Sequence, residues 1–136
     1  MIKLRSILLV DDDDTTNYLN RKLLQRLAVA DDVLVALDGE EALRVLENEC
    51  ADGGPTCPAL IFLDINMPGM NGFEFLEAYQ RLPLSQREAI VIVMLTTSVH
   101  PQDLDRLEAL PVRAFLNKPL DSAKVQGILE AYFPEA

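Results

Sequence analysis

Apolar and polar positions fall in blocks along this chain. Residues 7–10 (Ile-Leu-Leu-Val), 33–36 (Val-Leu-Val-Ala), 59–63 (Ala-Leu-Ile-Phe-Leu) and 90–95 (Ile-Val-Ile-Val-Met-Leu) are uninterrupted apolar runs, and residues 112–116 form a fifth run broken by one Arg. Short runs of this kind predict strands buried on both faces, as in a parallel sheet. Between them apolar residues recur at helical spacing: Leu19, Leu23, Leu24 and Leu27; Ala42, Leu43 and Leu46; Phe75, Leu76, Tyr79 and Leu82; Leu104, Leu107 and Leu110; Val125, Ile128, Leu129 and Tyr132. Asp14-Thr15-Thr16 reads as the start of the first helix and the Asp31-Asp32 pair as its stop, Asp38-Gly39 as a turn before a helix over 40–49, and Asp121-Ser122 as the start of the last helix.

Strictly alternating strands and helices predict a parallel sheet covered on both faces, and right-handed crossovers leave few topologies. The expected fold is α/β and flavodoxin-like: a doubly wound five-stranded sheet of order 2-1-3-4-5 with five helices, residues 1–136 forming a single domain. Its switch point lies between strands 1 and 3, which sets Asp11 to Asp14 opposite Asp64.

Composition changes this picture little. A 49% hydrophobic content fits a packed globule, and a formal charge of −10 without a dense Lys/Arg run argues against direct nucleic-acid binding. No apolar run approaches the roughly 18 to 20 residues that span a bilayer, and no export signal is visible, so no membrane insertion and a cytoplasmic location are expected. Cys50 and Cys57 flank a turn-rich segment and are expected to be two ordinary thiols in a reducing cytosol. With the single His100 they are too few soft ligands for structural zinc.

The strand ends carry the chemistry. Carboxylates crowded about 4 Å apart repel by on the order of 4 kcal/mol at an effective dielectric near 20, so the cluster calls for protons or a cation. All-oxygen ligands favour Mg²⁺ or Mn²⁺. Asp64 leads into a Pro/Gly loop, Ile65-Asn66-Met67-Pro68-Gly69-Met70-Asn71-Gly72, and a carboxylate fixed there can act as a nucleophile on phosphorus. Thr96 and Lys118 would serve the phosphoryl group by hydrogen bond and by charge. The residues 11–15 also satisfy a D-x-D-x-T signature, the mark of haloacid-dehalogenase-type phosphohydrolases, which would make Asp11 the nucleophile. Against that reading, no late acidic G-D-x-x-x-D motif occurs.

Val10-Asp11-Asp12, the segment from Leu63-Asp64 to Asn71-Gly72, Leu95-Thr96-Thr97-Ser98 and Phe115-Leu116-Asn117-Lys118-Pro119 together resemble the receiver domain of two-component response regulators. The resemblance covers nearly the whole chain. It implies that Asp64 accepts a phosphoryl group from a histidine kinase or a histidine phosphotransfer protein. It further implies that Asp11, Asp12, Asp64 and the Asn66 carbonyl hold Mg²⁺, that Thr96 and Phe115 act as the switch pair, and that Lys118 binds phosphate. A cis bond before Pro119 is frequent in the family, and the family is mainly bacterial. Asp13 and Asp14 fall outside the matched acid pair and read better as the cap and first-turn charge of helix 1.

Three features depart from the pattern. Thr97 stands where many relatives have Ala or Gly, and its bulk is expected to slow water attack on an aspartyl phosphate. Strand 5 starts from Leu110-Pro111-Val112-Arg113 without the usual Gly-Ala turn, and the connection over 49–58 is long enough to suggest a flexible loop. With no output domain expected after the last helix, the signal would pass by contact with a downstream protein or by phosphorelay. A receiver fold used as an unphosphorylated docking module is the remaining alternative, although such a protein need not keep the acids, Thr96 and Lys118 together. His100 is assigned no role.

Overall fold

Each apolar run forms a strand because a parallel sheet lets successive side chains bury on opposite faces. The computed structural model describes residues 3–50, 57–82, 90–97 and 110–134. Their elements are β1 (Leu4–Val10), α1 (Asp14–Leu27), β2 (Ala30–Ala36), α2 (Gly39–Cys50), β3 (Leu60–Asp64), α3 (Gly72–Tyr79), β4 (Val91–Thr96), β5 (Ala114–Asn117) and α4 (Ser122–Tyr132). The five strands are all parallel and lie in the order β2-β1-β3-β4-β5, the flavodoxin-like arrangement expected.

Alternation along the strands feeds two separate cores. Leu8, Val10, Ile61, Leu63, Ile92 and Met94 pack with Leu46, Phe75, Leu76 and Tyr79 of α2 and α3. Ile7, Leu9, Leu60, Phe62, Val93 and Leu95 face the other way, onto Leu23 and Leu24 of α1 and Val125, Ile128 and Leu129 of α4. Each such side chain contributes about 1.5–3 kcal/mol by leaving water, so the central strands are fixed in register by their own sequence.

Side-chain caps start the helices. Asp13 accepts from the Thr15 N–H, Asp38 from the Glu41 N–H at 2.8 Å, and Asp121 from the Lys124 N–H at 2.8 Å. Asn71 and Glu74 close a reciprocal capping box on α3. The opening of the last helix at Asp121-Ser122 and the capping role of Asp13 are as expected from sequence.

Several expectations are corrected. Helix α1 ends at Leu27, with Ala28 in the left-handed region at φ 54°, and Asp31-Asp32 lies inside β2 instead of stopping the helix. Because β2 is an edge strand, both aspartates remain in water, and Asp31 pairs with Lys3 at 3.3 Å. Leu19, one of the apolar residues at helical spacing in α1, is 59% exposed, while Asn17 and Asn20 are buried. Cys50 and Cys57 are joined in a disulfide with Cα atoms 4.5 Å apart, not left as two thiols. The end of α2 and the approach to β3 bring their Cβ vectors together, a juxtaposition that spacing alone does not reveal. Residues 51–56 between them, the predicted helix marked by Leu104 and Leu107, and His100 lie outside the described residues. Leu110 and Val112 pack partly buried against the α2–α3 core, with the Arg113 N–H donating to the Ile92 carbonyl at 2.9 Å as β5 begins.

Candidate functional site

Strand β1 delivers its acids at its carboxyl end. The Asp11 N–H is the last rung toward β2, donating to the Ala36 carbonyl at 3.1 Å. The chain then turns: the Asp13 N–H donates to Asp11 Oδ1 at 2.9 Å, and Asn17 Nδ2, one turn into α1, donates to the Asp11 carbonyl at 2.8 Å. Asp11 is thereby buried and Asp12 projects outward. Strand β3, paired directly with β1, ends on the buried Asp64.

Lys118 closes the group from the far edge of the sheet. It follows β5, where its N–H donates to the Thr96 carbonyl at 2.9 Å and the next peptide bond, to Pro119, is cis. Its Nζ lies 2.7 Å from Asp11 Oδ2 and 3.4 Å from Asp64 Oδ1. Lys124 of α4 holds this turn by donating to the Asn117 and Pro119 carbonyls, both at 2.8 Å.

Carboxylate oxygens of Asp11, Asp12 and Asp64 come within 4.8 Å of one another. Three acids against one ammonium leave the site negative, and its donors are all hard oxygens, a set that fits Mg²⁺ or Mn²⁺ better than zinc. Burial pushes the Asp64 carboxyl above its usual value; Lys118 draws it down, and the charge of Asp11 raises it again. For Lys118, burial works against the charged form, but the hydrogen bond to Asp11 and the charges of Asp64 and Asp11 outweigh it, so its pKa is raised.

The remaining expected residues are placed as follows. Thr96 ends β4, is 1% exposed, and pairs in register with Asn117. Phe115, on β5, is 41% exposed. The Asn66 N–H donates weakly to Asp64 Oδ1, at 3.4 Å. The structure thus gathers Asp11, Asp12, Asp64 and Lys118 into one cluster with Thr96 at the neighbouring strand end, while Phe115 stands on the surface of β5. Asp13, which the D-x-D-x-T reading needs in the site, caps α1 instead, accepting from the Thr15 N–H at 3.1 Å and the Thr16 hydroxyl at 2.7 Å. Those two bonds lower its pKa, the Thr16 bond most.

Sequence reasoning missed two contributors. Asn17 gave a signal in principle, as a polar residue on the apolar side of an amphipathic helix. Gly72 is required by close approach: a Cβ there would stand 2.8 Å from the Asp64 carbonyl oxygen and 3.0 Å from Ile65 Cα, so α3 can begin against the end of β3 only without a side chain. Beside Lys118 the site borders a groove of about 440 Å³ between α1 and the turn before α4, lined by Thr16, Leu19, Arg26, Pro119 and Leu120 among others.

Comparison with known proteins bears on the fold and the family. The sequence model of the response regulator receiver domain matches residues 7–130. The chain is 33% identical over 125 residues to the probable methanogenesis regulatory protein FilR2 of Methanothrix harundinacea, covering 91% of this chain and 78% of that one. A two-component response regulator from Cytophaga hutchinsonii superposes with a TM-score of 0.84 at 28% identity, covering 98% of this chain and 99% of that one. The chemotaxis protein CheY4 of Vibrio cholerae superposes with a TM-score of 0.78 at 29% identity, covering 96% and 99%.

Proposed function

Because the chain belongs to the response regulator receiver domain family, we propose that it takes a phosphoryl group onto Asp64 from the phosphohistidine of a histidine kinase or a histidine phosphotransfer protein. Receiver domains are signalling modules and not turnover enzymes. In this reading residues 1–136 act as one receiver domain that promotes its own phosphorylation and later loses the group to water or to a relay partner. It signals by contact with a downstream protein.

The observation that carries the reading is the convergence on Asp64: a buried carboxylate at a strand end, with Asp11 and Asp12 oxygens within 4.8 Å and Lys118 Nζ at 3.4 Å. An Asp64 oxygen attacks phosphorus, the P–N bond breaks, and its electron pair leaves on the imidazole, which takes up a proton. Mg²⁺ or Mn²⁺ held by Asp11, Asp12, Asp64 and the Asn66 carbonyl would supply positive charge against the phosphoryl oxygens. Lys118 shifts from Asp11 toward those oxygens, and the Thr96 hydroxyl reaches the same group from β4 while Phe115 turns inward behind it. The adjoining groove, with Leu19 and Tyr18 exposed on α1, suits a protein donor that brings its histidine to the site. Thr97, exposed beside the buried Thr96, hinders attacking water, so Thr97→Ala shortens the life of the acyl phosphate.

Intact mass after incubation with a small phosphodonor and Mg²⁺ tests this. One phosphoryl group that is alkali-labile, metal-dependent and lost in Asp64→Asn is the expected result. Steady phosphate release without an adduct, abolished by Asp11→Asn, would overturn it in favour of a hydrolase. No reaction with a small phosphodonor or with a phosphorylated kinase would leave a docking module.

A further inference from the structure

The buried amide of Asn17 is placed at a cost. Its side chain is 3% exposed, and among the described residues its Oδ1 has no hydrogen-bond donor. An apolar side chain of the same volume would avoid that loss, since a buried acceptor without a partner forfeits its hydration. What the amide does provide is the Nδ2 bond to the Asp11 carbonyl at 2.8 Å.

That bond completes the anchoring of the acid turn. The Asp11 N–H is held by the Ala36 carbonyl, Asp11 Oδ1 by the Asp13 N–H, and Asp11 Oδ2 by Lys118. The peptide between Asp11 and Asp12 has its carbonyl fixed by the Asn17 amide of α1. Its orientation sets where the outward Asp12 carboxylate points relative to Asp11 and Asp64, whose oxygens must converge to hold one ion.

We propose that Asn17 is a positioning residue for the divalent-cation site, acting through the Asp11 carbonyl and touching neither the ion nor the phosphoryl group. This rests on the reading of Asp11, Asp12 and Asp64 as cation ligands. Groups that orient metal ligands from behind typically govern affinity tenfold or more.

The test is Mn²⁺ binding to the full chain, read from the electron paramagnetic resonance of the free ion, with no phosphodonor present. Asn17→Leu keeps the branched shape at a somewhat larger volume, removes the unpartnered Oδ1 and removes the Nδ2 donor. It should melt near the wild-type temperature yet bind Mn²⁺ about tenfold more weakly. Ile128→Val, a small loss in the core beneath α4, should lower the melting temperature and leave Mn²⁺ binding unchanged. A merely structural Asn17 would move melting and leave affinity alone, and an Asn17→Leu dissociation constant within twofold of wild type overturns the proposal. Should Asn17→Leu fail to fold, Asn17→Ala below its melting temperature gives the same reading. Failure of the wild type to bind, or equal binding by Asp64→Asn, instead overturns the cation-site reading and the proposal with it.

Discussion

Lys118 stands closer to Asp11 than to Asp64, its Nζ 2.7 Å from the one and 3.4 Å from the other. In the metal-free protein it is therefore the internal counterion of the whole cluster, with its side chain only 20% exposed. Lys118→Met strands two buried carboxylates. The loss falls between that of an exposed pair and a fully buried one, about 1–2 kcal/mol at neutral pH, measurable by urea denaturation in a metal chelator. Adding Mg²⁺ should recover more stability in the variant than in wild type, because the ion then takes over the neutralising role.

Stability should depend on pH in an unusual direction at Asp64. Its folded pKa is raised above the ordinary carboxyl value of 3.8, so between 3.8 and the folded value the native state binds more protons than the unfolded chain. Stability from this group thus falls as pH rises through that window, the reverse of a salt-bridged carboxylate. Asp64→Asn should melt higher than wild type at pH 7 without metal and approach it at acid pH. Lys118 has the opposite sign: its raised pKa contributes stability below 10.5 that is lost as pH rises through the folded value. Melting curves from pH 3 to 11 in chelator check both.

Two glycines should answer alanine in opposite ways. Gly127 lies exposed within α4, and a Cβ there meets nothing within 4 Å, so Gly127→Ala should stabilise by about 0.5–1 kcal/mol through the unfolded chain. At Gly72 the same methyl meets backbone at 2.8 and 3.0 Å. Gly72→Ala should cost about 1–3 kcal/mol and slow phosphorylation of Asp64, whose carbonyl is the atom displaced. Thermal melts and the mass assay read the two effects.

Reduction of Cys50–Cys57 should destabilise the fold modestly. A sequence separation of 7 closes a short loop, and its chain entropy corresponds to about 2.4 kcal/mol. Denaturation with and without a dithiol reductant measures this, and a Cys50→Ser/Cys57→Ser variant should match the reduced protein and ignore the reductant.

The strands and their order were legible because fully apolar runs such as residues 60–63 have no other economical use, and the strand ends carried the acids, Thr96 and Lys118 with them. The face of α1 was not. Leu19, Leu23 and Leu27 are four apart, and each step of four turns about 40° beyond a full circle, so the row winds off the buried side. The buried side of the helix includes Asn17 and Asn20 instead, and the burial of Asn17 answers to the backbone carbonyl of Asp11. Asp31-Asp32 misled for a related reason: charge pairs stop a helix in isolation, but an edge strand tolerates them. The pairing of Lys118 with Asp11 depends on where two strand ends meet, which spacing along the chain does not express.

The two edges of the sheet have a consequence for how copies of this chain can meet. β2 presents Asp31 and Asp32 to water along one margin, and β5 offers only four residues, Ala114–Asn117, along the other. A neighbouring molecule seeking to extend the sheet would meet repelling carboxylates on one side and too short a template on the other. Crowding therefore favours contact through helices and loops over pairing of edge strands, which keeps the sheet from extending from one copy to the next.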